Sequence, residues 1–172
     1  MMYAFGARSD CAVVDEPFYA SYLAQTGLQH PMREEILESQ SQDPNAVSEQ
    51  LLGPIPGARP HFYQKHMSQH MIESVPRDWM REVTNVFLIR HPARVIASFA
   101  AKYDRVGLED IGFTQQADLI AMLCGWGHRP VVIDSYDIRQ NPAEKLEPLC
   151  EAINLPFSPE ILSWPRGGHK DD

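Results

Sequence analysis

Long apolar runs are missing from this 172-residue chain. No stretch approaches the length that spans a bilayer, and no charged segment followed by an apolar one stands at the N-terminus. Basic charge is also scarce. Fifteen Lys and Arg against 23 Asp and Glu leave a net charge of −8, which argues against a sequence-independent grip on nucleic acid or on an anionic membrane, although a local basic pocket survives inside an acidic protein. Cysteine is sparse: Cys11, Cys124 and Cys150 are far apart and odd in number, which suits free thiols in a reducing compartment better than a disulfide framework. There is no internal repeat and no linker long enough to separate two domains. A single domain over residues 1–172 with a real core, soluble and cytoplasmic, is the expectation.

What is present is organised around Asn85 to Tyr103, NVFLIRHPARVIASFAAKY. Val86-Phe87-Leu88-Ile89 is too short for a helix and rich enough in β-formers for a buried parallel strand. Arg90 falls where that strand ends, and Pro92, with fixed φ and no N–H to lose, suits the first turn of a helix. Val95, Ile96, Phe99, Ala100 and Tyr103 then recur at helical spacing, while Arg94, Ser98 and Lys102 occupy another face. Ligands in open α/β sheets bind outside the carboxyl ends of strands, and helix N-termini attract anions. Arg90 and Ser98 are therefore placed to hold a phosphate.

The remaining elements are read in order. Met1 to Arg8 reads as the end of a helix with Gly6 as its terminator. Cys11-Ala-Val-Val is a short strand followed by Asp15-Glu16, two carboxylates that either position a substrate or cap the next helix. A weak helical period surrounds Met32, Ile36 and Leu37, and Gln40 to Asn45 reads as a loop. The Gly/Pro-rich Leu51 to Pro60 leads into a strand at His61 to Lys65. His66 and His70, four apart, share the spacing of the zinc motif H-E-x-x-H, but Met67 stands in place of its glutamate and no third ligand is evident, so no metal is expected. Leu108 to Gly127 reads as helix closed by Gly125 and Gly127, Pro130 to Asp137 as a buried strand, and Asn141-Pro142 as the start of a helix burying Leu146, Leu149, Cys150 and Ile153.

Arg90-His-Pro with Ser98 eight residues beyond the arginine resembles the 3′-phosphate-binding segment of the sulfotransferases that use the donor PAPS. DEPFYASYL resembles a segment of a bacterial and plant branch of that family, which implies acceptor contacts for Asp15 and Glu16. The family's lysine-threonine-histidine segment follows a strand, its lysine supporting the sulfuryl group and its histidine taking the acceptor's proton. Lys65 matches that lysine; the histidine is displaced, since Met67 occupies its position. The resemblance thus implies Lys65 and His66 as catalytic residues, with His70 open as an alternative base. Arg166-Gly167-Gly168 is similar to the segment that closes over the same 3′-phosphate, which implies donor contacts for Arg166 and Gly168. The strand, helix and acidic Asp137 near the end of the chain also follow the family order.

The chain departs from the family at its ends. The hydroxyl-rich phosphate loop that holds the 5′-phosphosulfate, and the strand before it, have no counterpart, and the chain stops soon after Arg166. The fold implied is α/β, a mostly parallel sheet flanked by helices, of the P-loop nucleotide-binding type without its first strand and phosphate loop. The edges left by that strand would be restored by a partner chain or by a homodimer exchanging strands. The function implied is transfer of a sulfuryl group from PAPS to a hydroxyl or amine of a small acceptor, with no metal, nucleic acid or membrane. Two alternatives stand beside it: a non-catalytic nucleotide-binding or oligomerisation module, and a kinase-like phosphotransferase. The kinase reading needs a glycine-lysine loop and magnesium ligands that the sequence does not display.

Overall fold

The computed structural model describes residues 1–101, 107, 108 and 110–167, and these form two compact units. The first comprises Met1–Trp79 with the segment from Ser158 onward; the second is Met80–Phe157.

In the first unit α1 (Met2–Gly6) leads into β1 (Cys11–Asp15), then α2 (Tyr19–Thr26), α3 (Arg33–Ser39), α4 (Pro44–Leu52) and β2 (His61–Lys65). Parallel strands need a crossover, and α2 to α4 supply it: β1 and β2 pair in parallel from Cys11↔His61 to Asp15↔Lys65. The apolar side chains of α1 (Met2, Ala4, Phe5) are buried with Cys11 and Ala12 of β1, Phe18, Ala20 and Leu23 near and on α2, and Ile161. Phe5 stacks on Tyr63 of β2 with ring centroids 4.5 Å apart. Arg8 is buried too, and its guanidinium meets Asp10 through two hydrogen bonds of 2.9 and 2.8 Å. That pairing answers the cost of burying the charge and, first among its causes, holds the Asp10 carboxyl below its usual range.

Glu16, just past β1, adopts φ 45°, a left-handed conformation that non-glycine residues rarely take. Its amide still donates to the Lys65 carbonyl at 2.9 Å, so the ladder runs one step past the strand before the chain turns into α2. Gly27 ends α2 with φ 68°, supplying the left-handed cap a glycine gives at least cost. Gly6, by contrast, is the last residue of α1, and the cap after it, Ala7, is right-handed.

The second unit holds β3 (Val86–Ile89), α5 (Pro92–Ala100), α6 (Phe113–Gly125), β4 (Val131–Asp134), α7 (Ser135–Gln140) and α8 (Pro142–Ala152). β3 and β4 pair in parallel from Val86↔Val131 to Ile89↔Asp134. Met80, Phe87, Leu119, Leu123, Leu146, Leu149, Cys150 and Leu155 are its buried apolar residues. The strand, arginine, proline, helix order stands as expected. β3 stops at Ile89, Pro92 opens α5, and the Nδ1 of His91 accepts from the Ala93 amide at 3.2 Å.

Parallel strands flanked by helices make this an α/β fold, with the described strands in two separate two-stranded ladders. Local signals moved several boundaries. α4 begins inside the stretch read as loop, because Asp43 accepts from the Asn45 amide at 2.9 Å and Pro44 takes the first helical position. α6 begins at Phe113 rather than Leu108, behind Gly112 in a left-handed conformation. β4 is shorter than the strand read over Pro130 to Asp137 because Asp134 caps the Tyr136 amide at 2.8 Å and turns Ser135 to Asp137 into helix. Ile153, read as part of the buried face of α8, caps that helix and is only half-buried. Replacing Asp43 with Ala should lower the urea-unfolding free energy by about 1 kcal/mol; an unchanged midpoint would show the cap contributes nothing.

Candidate functional site

The β1–β2 register sets Asp15 beside Lys65, and the left-handed turn at Glu16 brings a second carboxylate to the same ammonium. Lys65 Nζ lies 2.7 Å from Asp15 Oδ1 and 2.7 Å from Glu16 Oε1. Burial pulls the Lys65 pKa down, but the hydrogen bonds and charges of the two carboxylates outweigh it and hold the ammonium above its ordinary range. One cation faces two anions, so the cluster carries a surplus negative charge.

His70 completes the arrangement. It closes a short 3-10 turn (Ser68–His70) and is 4 % exposed. Its ring is stacked by Tyr19 and Tyr22 of α2, each with centroids 4.7 Å away. Its Nδ1 is buried without a hydrogen-bond partner and lies 4.0 Å from Glu16 Oε2, the oxygen that Lys65 does not hold. Tyr19 in turn hydrogen-bonds through its hydroxyl to His30 Nδ1 at 2.5 Å. His66 lies elsewhere in the cluster, its ring packed against Phe18 and Trp79 at 5.7 and 4.9 Å and its Nε2 3.4 Å from Gln64 Oε1. Both imidazoles are pushed down to about 4, by burial first, then by His70 for His66 and by Lys65 and His30 for His70. Each is neutral at physiological pH and can accept a proton. Glu16, Phe18, His66, Met67, His70 and Met71 line a narrow gap here with almost no solvent-accessible surface.

Four of the residues singled out in the sequence, Asp15, Glu16, Lys65 and His66, thus come together in the first unit. Arg166 is exposed in the closing segment of that unit, and Gly168 lies outside the described residues. Arg90 and Ser98 belong to the second unit. Arg90 follows β3, Ser98 is on α5, both are exposed, and neither side chain has a hydrogen bond or ion pair among the described residues. Arg94 of α5 lies 4.9 Å over the Tyr136 ring. Sequence reasoning missed the aromatic walls around His70. Tyr19 and Tyr22, three apart at the start of a helix, were a usable signal; nothing marked His30. His66 and His70 do not share a helix face, since β2 ends at Lys65 and only a short turn follows. Among the described residues no group of three His, Cys, Asp or Glu is arranged for a metal ion, and no helix is long and apolar enough to cross a membrane.

The chain as a whole can be set beside known proteins. Residues 1–172 match the family model described as Sulfotransferase domain, and the chain belongs to that family. Among curated proteins it is 30 % identical over 172 residues to branched-chain-amino-acid aminotransferase-like protein 2 of Arabidopsis thaliana, and 32 % identical over 173 residues to protein 1 of the same name. All of this chain is covered in both, but it spans only 30 % and 31 % of their lengths. Among solved structures, the sulfotransferase domain from the curacin biosynthetic pathway overlaps 87 % of this chain and 58 % of its own, at 17 % identity and a TM-score of 0.49.

A depressed histidine pKa ties stability to pH. With His70 near 4 in the folded chain and near 6.5 when unfolded, the unfolded state binds more protons between those values. Stability should be full above pH 6.5 and decline as the pH falls toward 4, His70 contributing on the order of 3 kcal/mol to the loss. Urea unfolding across that range should show the decline, with a shallower slope for His70→Gln. Equal slopes for the two proteins would contradict it.

Proposed function

We propose that the chain transfers a sulfuryl group from PAPS to a hydroxyl or amine of a small acceptor. The observation that carries the donor assignment is Arg90: an exposed guanidinium with no partner among the described residues, just beyond a parallel strand and just before a helix N-terminus. Such a group fits the 3′-phosphate, since guanidinium forks match phosphate oxygens and helix N-termini favour anions. Ser98 of α5, likewise unengaged, adds a hydroxyl donor. Arg166 and Gly168 are assigned to the same phosphate by their match to the family's closing segment.

PAPS supplies an electrophilic sulfur whose leaving group is a nucleotide phosphate. The chain's contribution is positioning and charge. Asp15 and Glu16 are assigned to the acceptor side, Lys65 to the transferring group and His66 to the acceptor's proton. A second reading has an observation of its own: Lys65 is already neutralised by two carboxylates, which leaves it little charge for a sulfuryl group. A nucleotide-binding module without transfer follows from that.

Calorimetric titration with adenosine 3′,5′-bisphosphate tests the donor site for both readings. Binding is expected, and Arg90→Ala should weaken it about 10- to 100-fold, the worth of a hydrogen bond to a charged group. A folded chain that binds none, or equal affinity in the variant, would overturn the assignment. Sulfated product from PAPS and an acceptor panel then separates transfer from binding alone.

A further inference from the structure

Building on the sulfuryl-transfer reading, we propose that the proton acceptor is His70 rather than His66, and that Glu16 is its positioning residue, held in place by Lys65.

The observations converge on one carboxylate. Glu16 Oε1 is fixed by Lys65 at 2.7 Å, which leaves Oε2 facing the buried, unpartnered Nδ1 of His70 at 4.0 Å. A contact of that length tightens to a hydrogen bond with a shift of about 1 Å, as proton-transfer pairs commonly do once substrate is in place. A carboxylate at Nδ1 favours the Nδ1–H tautomer and leaves Nε2 to accept a proton, the logic by which a carboxylate orients a catalytic imidazole. The ring cannot easily turn away, because Tyr19 and Tyr22 stack on it. Glu16 reaches its place only through a left-handed backbone, φ 45°, and strain of that kind clusters at functional sites. His66 has none of this: its ring packs on Phe18 and Trp79, and its Nε2 faces an amide.

Glu16 is the carboxylate that faces the His70 ring, while burial, Lys65 and His30 oppose a proton there and keep the ring neutral before transfer. The charged and titratable groups facing His70 are Glu16, Lys65 of β2, His30 and His66, with the Tyr19 and Tyr22 phenols on α2. In the step itself the acceptor's O–H or N–H bond breaks and its proton passes to Nε2. The freed electron pair forms the bond to sulfur as the donor's S–O bond breaks, and that bond's electrons leave on the nucleotide phosphate.

The test needs no acceptor. Nitrogen-15 histidine spectra of the whole chain near pH 7 should show His70 as the neutral Nδ1–H tautomer. Glu16→Gln should shift it toward Nε2–H, and Lys65→Met should shift it in the same direction to a smaller extent. Adenosine 3′,5′-bisphosphate affinity, which tests the donor reading, should be unchanged in the Glu16 variant. An Nε2–H tautomer in the parent chain, or one indifferent to Glu16→Gln, would overturn the proposal whatever the nucleotide does. With an active acceptor in hand, His70→Gln should cut turnover about 10²- to 10⁴-fold and His66→Gln far less; the reverse order would also overturn it.

Discussion

One ammonium group organises the chemistry of the first unit. Lys65 stands at the end of β2, where parallel register places Asp15 opposite and the strained turn at Glu16 swings a second carboxylate onto it. Two like charges this close repel unless a cation lies between them. With Lys65 present, the carboxylates are pinned and one of their four oxygens is left facing His70. Without it, the two carboxylates would lose the cation that holds Glu16 Oε1 and leaves Oε2 toward His70. The same half-buried pairing also fastens the ends of a two-stranded ladder, a structure too small to be stable by itself.

The second unit shows the opposite economy. Arg90 and Ser98 are exposed and unengaged among the described residues, which suits residues whose partner is a ligand. Arg90 precedes α5 and Ser98 lies on it, a helix with a strongly amphipathic sequence and no fully buried residue. The donor reading thus rests on exposed groups, and the proton-transfer reading on a buried ring nitrogen beside a carboxylate.

Much of this was legible in the residues. Val86 to Ile89, Arg90 and Pro92 specify a strand, its end and a helix start by chain chemistry alone, and the structure keeps that order. The Arg90-His-Pro segment with Ser98, and the DEPFYASYL segment, pointed to the right family. Boundaries were missed where one polar side chain caps a helix start, as Asp43 does at α4 and Asp134 at α7. The pairing of Glu16 with both Lys65 and His70 was not legible, because it depends on strand register and on a left-handed φ at a residue type that rarely adopts one. Periodicity carries no information about either.

The central claim is that Lys65 and Glu16 are physically coupled. A double-mutant cycle with Glu16→Gln, Lys65→Met and the combined variant, read by urea unfolding at pH 7, measures that coupling directly. Contact through a half-buried ion pair predicts an interaction of roughly 0.5–3 kcal/mol, with the double variant less destabilised than the sum of the two single ones. Strict additivity would contradict the account and detach His70 from the cluster on which its role depends.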